Sequence, residues 1–264
     1  MTSILPPRHE FDRVLSLAAP PRRGRYRCWM ELRHRIADLS AGQWGLVTAV
    51  QARAAGISGQ ALARATERGE LIRVHHGVYE LAGSEEWSSF GDWAAQWLAL
   101  RPGEPVERRR EHPDCVVSHA AAARLQNLGV ITADKLELAA PQRINVSSRA
   151  VRTFRGAIGE KERDWHVVEG LPVTTPSRTV RDLLRLGGDG AHIGSVVSEC
   201  LTLGYIPHDK AIAFCEAAVH QWGRRPGDGE DLLHQLVSAD SAPPTSAGER
   251  LLDRGDRPGR SYLS

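Results

Sequence analysis

The chain has 264 residues, of which 41% are hydrophobic and 25% are charged, a makeup typical of a folded globular protein with one or two domains. Its formal net charge is only +2, so the whole-chain charge neither favours nor excludes a nucleic-acid partner. Four scattered cysteines without a C-x-x-C pair argue against a disulfide framework or structural zinc. The lack of an apolar run of roughly 18 residues argues against a membrane span, so we expect a cytoplasmic protein.

Positive charge is concentrated at the N-terminal end. Residues 1–83 contain 12 arginines and no lysine against 7 acidic residues, and the remainder has 22 basic and 25 acidic residues. Residues 1–27 are rich in proline and arginine without periodicity, which predicts a flexible basic extension, with folded structure beginning near Cys28. Two interpretations stay open: Met30 is the true start rather than Met1, or the extension is an arm that reaches into a DNA groove.

Three short helices are predicted next. Apolar residues three and four positions apart, from Trp29 to Leu39, predict an amphipathic helix that ends at 40–42. Thr48 and Gln51 form a capping-box pattern that opens a two-turn helix ended by Gly56. Ser58 is then the N-cap of a third helix at 59–68, so the last two helices are joined by the tight connection of a helix-turn-helix.

A hairpin follows the third helix. The β-prone runs 71–74 and 78–81 are separated by His75-His76-Gly77, in which the glycine serves the turn. Three helices and then a hairpin are the order of a winged helix-turn-helix domain, which we place at 28–83.

The third helix is the predicted recognition helix. Leu62 and Ala65 face inward, so Gln60 and Arg64 point outward, four residues apart, where glutamine pairs with adenine and arginine with guanine in a major groove. The predicted contacts to phosphate are Ser58, Arg53, Arg68, Arg73, His75 and His76. Glu67 on the same face is unfavourable for phosphate, and an exposed helix with ordinary surface charge is the alternative.

Beyond residue 83 the pattern predicts a mixed α/β domain at 84–237, with a small sheet and several helices, so the fold class is α+β. A helix near 89–101 is followed by a solvated charged loop at 104–114. Short strands are expected at 116–117, 136–139, 151–154, 165–168 and 171–173, and helices at 118–128, from Thr175-Pro176 onward, and at 193–203, 208–221 and 230–237. Residues 238–264 are expected to be a disordered tail.

Neither histidine motif in the sequence predicts chemistry. His75 and His76 are adjacent in a strand and point to opposite faces, so they do not readily bind one metal ion. Ser118 and His119 resemble a nucleophile and base, but adjacent positions at a helix start diverge by about 100°, and Ser118 as an N-cap is the preferred interpretation. We therefore predict no catalytic residue, metal or cofactor, and no enzyme.

Three stretches resemble one family. Residues 45–79 are similar to the N-terminal winged helix of AbiEi-type antitoxins of type IV toxin–antitoxin systems. Two further stretches are similar to segments of the C-terminal antitoxin domain. They are Val-Val-Ser-His-Ala-Ala-Ala-Ala-Arg-Leu at 116–125 and Gly-Leu-Pro-Val-Thr-Thr-Pro-Ser-Arg-Thr-Val-Arg-Asp-Leu-Leu at 170–184. The chain departs from the pattern in its N-terminal extension, in the insertion at 104–114, and in its low-complexity end, which is interpretable as a truncated domain.

The resemblance implies a function. The winged helix would bind inverted repeats in its own promoter and repress the operon, and the second domain would counter a nucleotidyltransferase toxin, by direct contact or only functionally. Some relatives carry a nuclease-like region, but here no Asp followed by Glu-x-Lys is present. The alternative function is an orphan winged-helix regulator or a protein-interaction module without a toxin.

Overall fold

The computed structural model describes residues 23–84, 90–144 and 148–240. These ranges contain ten α-helices and two β-sheets, which confirms the predicted α+β class. The chain divides into two compact units, Met1–Val106 and Glu107–Ser264. Within the described ranges, no helix has the length and apolar character needed to cross a membrane. Residues 1–22 of the predicted extension and residues 241–264 of the predicted tail lie outside these ranges. Residues 238–240 of that tail belong instead to the last helix, Gly229–Asp240.

The first unit begins with three helices. They are α1 (Arg23–Ser40), α2 (Ala49–Ala54) and α3 (Gly59–Glu67). The predicted end of α1 is confirmed, but its start near Cys28 is wrong, because the helix already begins at Arg23. Arginine is a good helix former, so it can extend a helix beyond the apolar stripe that packs in the core.

A three-stranded antiparallel sheet completes this part of the unit. Its strands are β1 (Leu46–Thr48), β2 (Leu71–His75) and β3 (Val78–Leu81), in the order β1-β3-β2. The predicted hairpin is confirmed, with Gly77 at φ +71° in its turn, whereas β1 was not predicted. Three helices and a hairpin in this order are consistent with a winged helix.

A small apolar core joins these helices to the sheet. It contains Ile36 of α1, Leu62 and Ala65 of α3, and Leu71 and Leu81 of the hairpin, all buried. Burial of such side chains contributes about 1.5–3 kcal/mol each for the large ones. The core therefore fixes which face of α3 is exposed.

Helix α4 (Gly91–Leu100) also belongs to the first unit. It packs on the three-stranded sheet, and its fully buried Trp97 contacts Trp44 edge to face, with ring centroids 6.0 Å apart. The domain boundary predicted from the sequence lies between residues 83 and 84, whereas the two units of the structure divide after Val106. The boundary shifts because α4 buries its apolar face against the sheet of the first unit.

The predicted loop at 104–114 is wrong. Residues Val106–Glu111 form helix α5, and Arg109 is 3% exposed, with its guanidinium 3.3 Å from Asp114 Oδ1. Burial lowers the pKa of Arg109, which the Asp114 carboxylate opposes. Arg110 Nε donates to the Gly170 carbonyl at 2.8 Å. The charged segment is therefore not a solvated loop, because Arg109 and Arg110 make contacts within the second unit.

The second unit is built on a five-stranded mixed sheet of order β6-β5-β4-β8-β7. β4 and β8 are parallel, as are β5 and β6, and the β4/β5 and β7/β8 pairs are antiparallel. The strands are β4 (Val116–Val117), β5 (Leu136–Ala140), β6 (Val151–Arg155), β7 (Trp165–Val168) and β8 (Leu171–Thr174), close to the predicted positions.

Five helices accompany this sheet: α6 (His119–Leu125), α7 (Pro176–Leu186), α8 (Gly190–Thr202), α9 (His208–Glu216) and α10 (Gly229–Asp240). The last four share one apolar core with Leu128. The predicted helix at 208–221 is shorter than expected: α9 ends at Glu216 and a 3₁₀ turn follows at Val219–Trp222.

Candidate nucleic-acid interface

Helix α3 presents a polar face to solvent. Leu62 and Ala65 are buried and Ala61 is half-buried, whereas Gln60 and Arg64 are exposed, as predicted from the helical pattern. These two side chains are four positions apart, so they lie on the same edge of the helix. Because both are free of the core, they can reach base edges in a groove, which is the chemistry that base readout requires.

The start of α3 is fixed by local hydrogen bonds. Ser58 Oγ accepts from the Ala61 amide at 3.2 Å, which confirms the predicted N-cap. Before it, Gly56 follows the C-cap Ala55 of α2 and has a φ of +77°, which favours glycine, and the Arg35 guanidinium donates to the carbonyl of Ala55. The predicted capping box of α2 is also present, with Thr48 and Gln51 bonded reciprocally. These contacts hold the tight connection between α2 and α3.

The predicted phosphate contacts are distributed over three elements. Arg53 lies on α2 and is exposed, and Arg73 and His76 are exposed at the hairpin, where Arg73 Nη2 lies 2.9 Å from His76 Nδ1. His75 is half-buried, and its Nδ1 is enclosed without a hydrogen-bond partner. Helix α3 packs against β2, so the hairpin is adjacent to the helix in the first unit.

Acidic residues reduce the positive charge of this surface. Arg68 forms an ion pair with Glu70 at 2.6 Å, so it is less available to phosphate than Arg53. Glu67 is exposed on α3, as expected from its position. Arg53, Arg64 and Arg73 are the other exposed arginines among the predicted contacts, and three cations suit a few phosphate and base contacts.

The Ser118-His119 motif of the second unit differs from expectation. Ser118 occupies the N-cap position of α6 but makes no capping bond; its Oγ lies 2.9 Å from His119 Nδ1. The divergence argued from helix geometry was wrong because His119 has φ +53° and is not in a regular helical conformation. Ser118 is fully buried, so its hydroxyl is closed to a substrate, and burial lowers the pKa of His119 to about 4, so the imidazole is weakly basic.

Glu137 caps α6 instead of Ser118, which sequence reasoning missed. Its Oε2 accepts from the amides of Ala120 at 2.8 Å and Ala121 at 3.4 Å. Burial raises the pKa of Glu137, and the two amides and Arg152 oppose that shift. The sequence does contain an indication of this role: Glu137 is the one acidic residue in an otherwise apolar strand, and a buried charge needs a partner.

An arginine-rich cavity in the second unit was also missed. It is lined by side chains of α7, of β6 and of the loop at 156–164. The available signal was Arg178, Arg181 and Arg185 at helical spacing opposite the apolar face of α7. Only the apolar face of that helix was used in the prediction. In the described ranges, no group of three or more His, Cys, Asp or Glu residues is arranged to hold a metal ion.

Comparison with known proteins identifies the segment that carries α3. Residues 34–82 match the family model "Transcriptional regulator, AbiEi antitoxin". This AbiEi match runs from within α1 to the end of the hairpin, so it includes every predicted DNA contact. The crystal structure of the RV2827C protein from Mycobacterium tuberculosis is similar at 15% identity and a TM-score of 0.45, covering 79% of this chain and 81% of that chain. No curated protein matches the chain.

Proposed function

We propose that the chain is a transcriptional regulator and the antitoxin of a type IV toxin–antitoxin operon, and that its first unit binds duplex DNA as a winged helix. The observation that carries the proposal is the exposed edge of α3. Gln60 and Arg64 lie there one turn apart, on a helix whose opposite face is held in the core. The AbiEi regulator match over 34–82 supports the regulatory role.

In this proposal α3 lies in the major groove. Arg64 reads guanine and Gln60 reads adenine, each by a bidentate pair of hydrogen bonds. The amides at the start of the helix, with Ser58, contact a phosphate, and Arg53 and Arg73 contact the adjacent backbone. The exposed His76 and the ion-paired Arg68 make weaker backbone contacts, and the half-buried His75 supports the turn.

The operator is an inverted repeat in the promoter of the chain's own operon, so binding represses transcription. The second unit counters a nucleotidyltransferase toxin encoded beside the regulator. No residue of the second unit is assigned to contact with that toxin, because an antitoxin can counter a toxin without binding it.

A gel-shift titration with the DNA upstream of the chain's own gene tests the regulatory half. Binding should weaken as salt rises, because each neutralised phosphate releases counterions. Arg64→Ala should cost about 1–3 kcal/mol and relax the preference at one base pair. Arg225→Ala, an exposed arginine of the second unit, is the matched control and should bind as the unmodified chain does. Unchanged affinity and sequence preference for Arg64→Ala would remove α3 from the interface.

Co-expression with the neighbouring open reading frame tests the antitoxin half. Restored growth in the presence of a nucleotidyltransferase toxin supports it. The Arg64→Ala variant should still restore growth when both genes are expressed from foreign promoters, since it loses only repression. If no such toxin is present, or growth is not restored, the antitoxin half fails and an orphan regulator is left.

A further inference from the structure

The cavity in the second unit has an excess of positive charge. It has a volume of about 550 Å³ and is formed by α7, the end of β6 and the loop that follows. Two aspartates, Asp164 and Asp182, line it together with five arginines: Arg155, Arg163, Arg178, Arg181 and Arg185. Cations in this lining therefore outnumber carboxylates by more than two to one.

Arg178 gives the cavity a fixed wall. Its side chain is 5% exposed and pairs with Asp182 at 3.3 Å. The same guanidinium donates to the carbonyls of Ala157, at 2.6 Å, and Ile158, so it ties the loop to α7. A guanidinium held at several points is pre-organised, and so is the loop that it holds.

Arg155 and Arg185 are the cations available to a ligand. Both are exposed, and no ion pair between described residues includes either of them. Arg163, in contrast, is 2.9 Å from both Glu160 and Asp164, and Arg181 is 3.4 Å from Asp182. Two of the five arginines thus have their hydrogen-bond donors free for an anion.

Two aromatic residues, His119 and Phe154, also line the cavity. The rings of His119 and Phe154 stack with centroids 3.7 Å apart and an interplanar angle of 21°. Burial keeps His119 neutral near pH 7, because it lowers the pKa of the imidazole to about 4. The Arg152 guanidinium also lies over the Phe154 ring, 4.7 Å from its centroid, so the pair offers a ligand its ring edges rather than an open face. Ring edges can contact the face of a planar group, and cavities of roughly 300–1,000 Å³ accept small molecules.

We propose that this cavity binds a nucleoside phosphate, with Arg155 and Arg185 holding the phosphate and the edges of the His119 and Phe154 rings lying beside the base. Arginine suits this ligand because its planar fork bonds two phosphate oxygens at once. The paired aspartates do not repel the ligand strongly, since each carboxylate is already neutralised by an arginine. The proposal does not depend on DNA binding by α3.

Isothermal titration of the full chain at constant ionic strength tests the site with four probes: AMP, CMP, adenosine and inorganic phosphate. We expect saturable binding of a nucleotide, weaker binding of phosphate, and no binding of adenosine. The double variant Arg155→Gln/Arg185→Gln should bind the nucleotide at least tenfold more weakly. Arg225→Gln is the matched control and should leave the affinity unchanged, and operator binding should survive in the double variant.

Several results would overturn the proposal. They are no saturable nucleotide binding, phosphate bound as tightly as the nucleotide, or equal affinity of the double variant. A random 12-base-pair duplex whose binding depends on Arg155 and Arg185, in the absence of nucleotide binding, would reassign the surface to a nucleic-acid backbone. If the double variant melts at a lower temperature than the unmodified chain, the single Arg185→Gln variant at the exposed end of α7 provides the same comparison.

Discussion

The exposed face of α3 and the cavity of the second unit both present arginines, but they are built differently. On α3 the side chains come from one helix, and their exposure follows from which residues the core takes. In the cavity the arginines come from β6, from a loop and from α7, and a buried arginine holds these segments together.

Because of this difference, substitutions in the two regions should affect stability differently. A substitution on α3 removes one contact and leaves the helix in place, because the residues that fix the helix are on its other face. A substitution in the cavity can also disturb the scaffold, because Arg178 is at once a lining residue and a structural one. The largest effects on stability should therefore occur in the second unit, and smaller ones in the first.

Arg178→Met should have the largest effect. It leaves the carbonyls of Ala157 and Ile158 without their donor and removes a buried partner of Asp182. Removing one member of a buried ion pair costs about 3–5 kcal/mol, and we expect a loss of this size in the free energy of unfolding. Urea denaturation measures it, and hydrogen exchange assigns the loss to the second unit.

Arg181→Met is the control for this change. Arg181 also pairs with Asp182, but its side chain is 31% exposed, and Asp182 keeps Arg178 as a partner. We expect less than about 1 kcal/mol. Equal losses for the two variants would mean that Arg178 does not hold the loop, and the contrast between the two arginine-bearing regions would disappear.

His119 should make the second unit sensitive to acid. Burial lowers the pKa of this imidazole from 6.5 to about 4. Between these two pH values the unfolded chain therefore binds a proton at His119 more readily than the folded chain does. The contribution of His119 is fully present above about pH 6.5 and is lost as the pH falls toward 4. The loss amounts to at most about 3 kcal/mol. Unfolding measured at several pH values from 7 to 4 tests this.

His119→Gln should reduce the pH dependence. Glu137 acts in the opposite direction, because burial raises its pKa and its protonation in acid favours the folded chain. The difference between the unmodified chain and the variant isolates the histidine, since Glu137 is present in both. Equal slopes between pH 6.5 and 4 would contradict the assignment, whatever the absolute stability of the variant.

The same contrast explains what the sequence could and could not predict. Caps, turns and the outward side chains of α3 depend on residues within a few positions of each other, so Ser58, Gly77 and Arg64 were placed correctly. Arg109 was placed in a solvated loop, and no role was predicted for Arg178, because the partners of both are set by tertiary packing. Glu137 caps a helix 17 residues before it in the chain. A charged residue in a sequence does not reveal such partners, so a buried arginine is easily predicted to be exposed to solvent.

Apart from the control variant Arg181→Met, substitutions of Ser58 should have the smallest effect on stability, and they separate folding from binding on α3. Ser58→Ala removes the acceptor of the Ala61 amide and should cost about 1 kcal/mol of stability. Ser58→Asp keeps a capping oxygen and adds a negative charge that suits a helix N-terminus, so its stability should be retained.

The order of the two variants in DNA affinity should be the reverse of their order in stability. The added carboxylate of Ser58→Asp lies where the proposed phosphate would be, so the stable variant should bind the operator more weakly than the destabilised Ser58→Ala in a gel shift. Thermal melts of both variants provide the stability order. If Ser58→Asp binds as well as the unmodified chain, the start of α3 is away from the DNA backbone, and Gln60 and Arg64 would have to reach bases from another orientation of the helix.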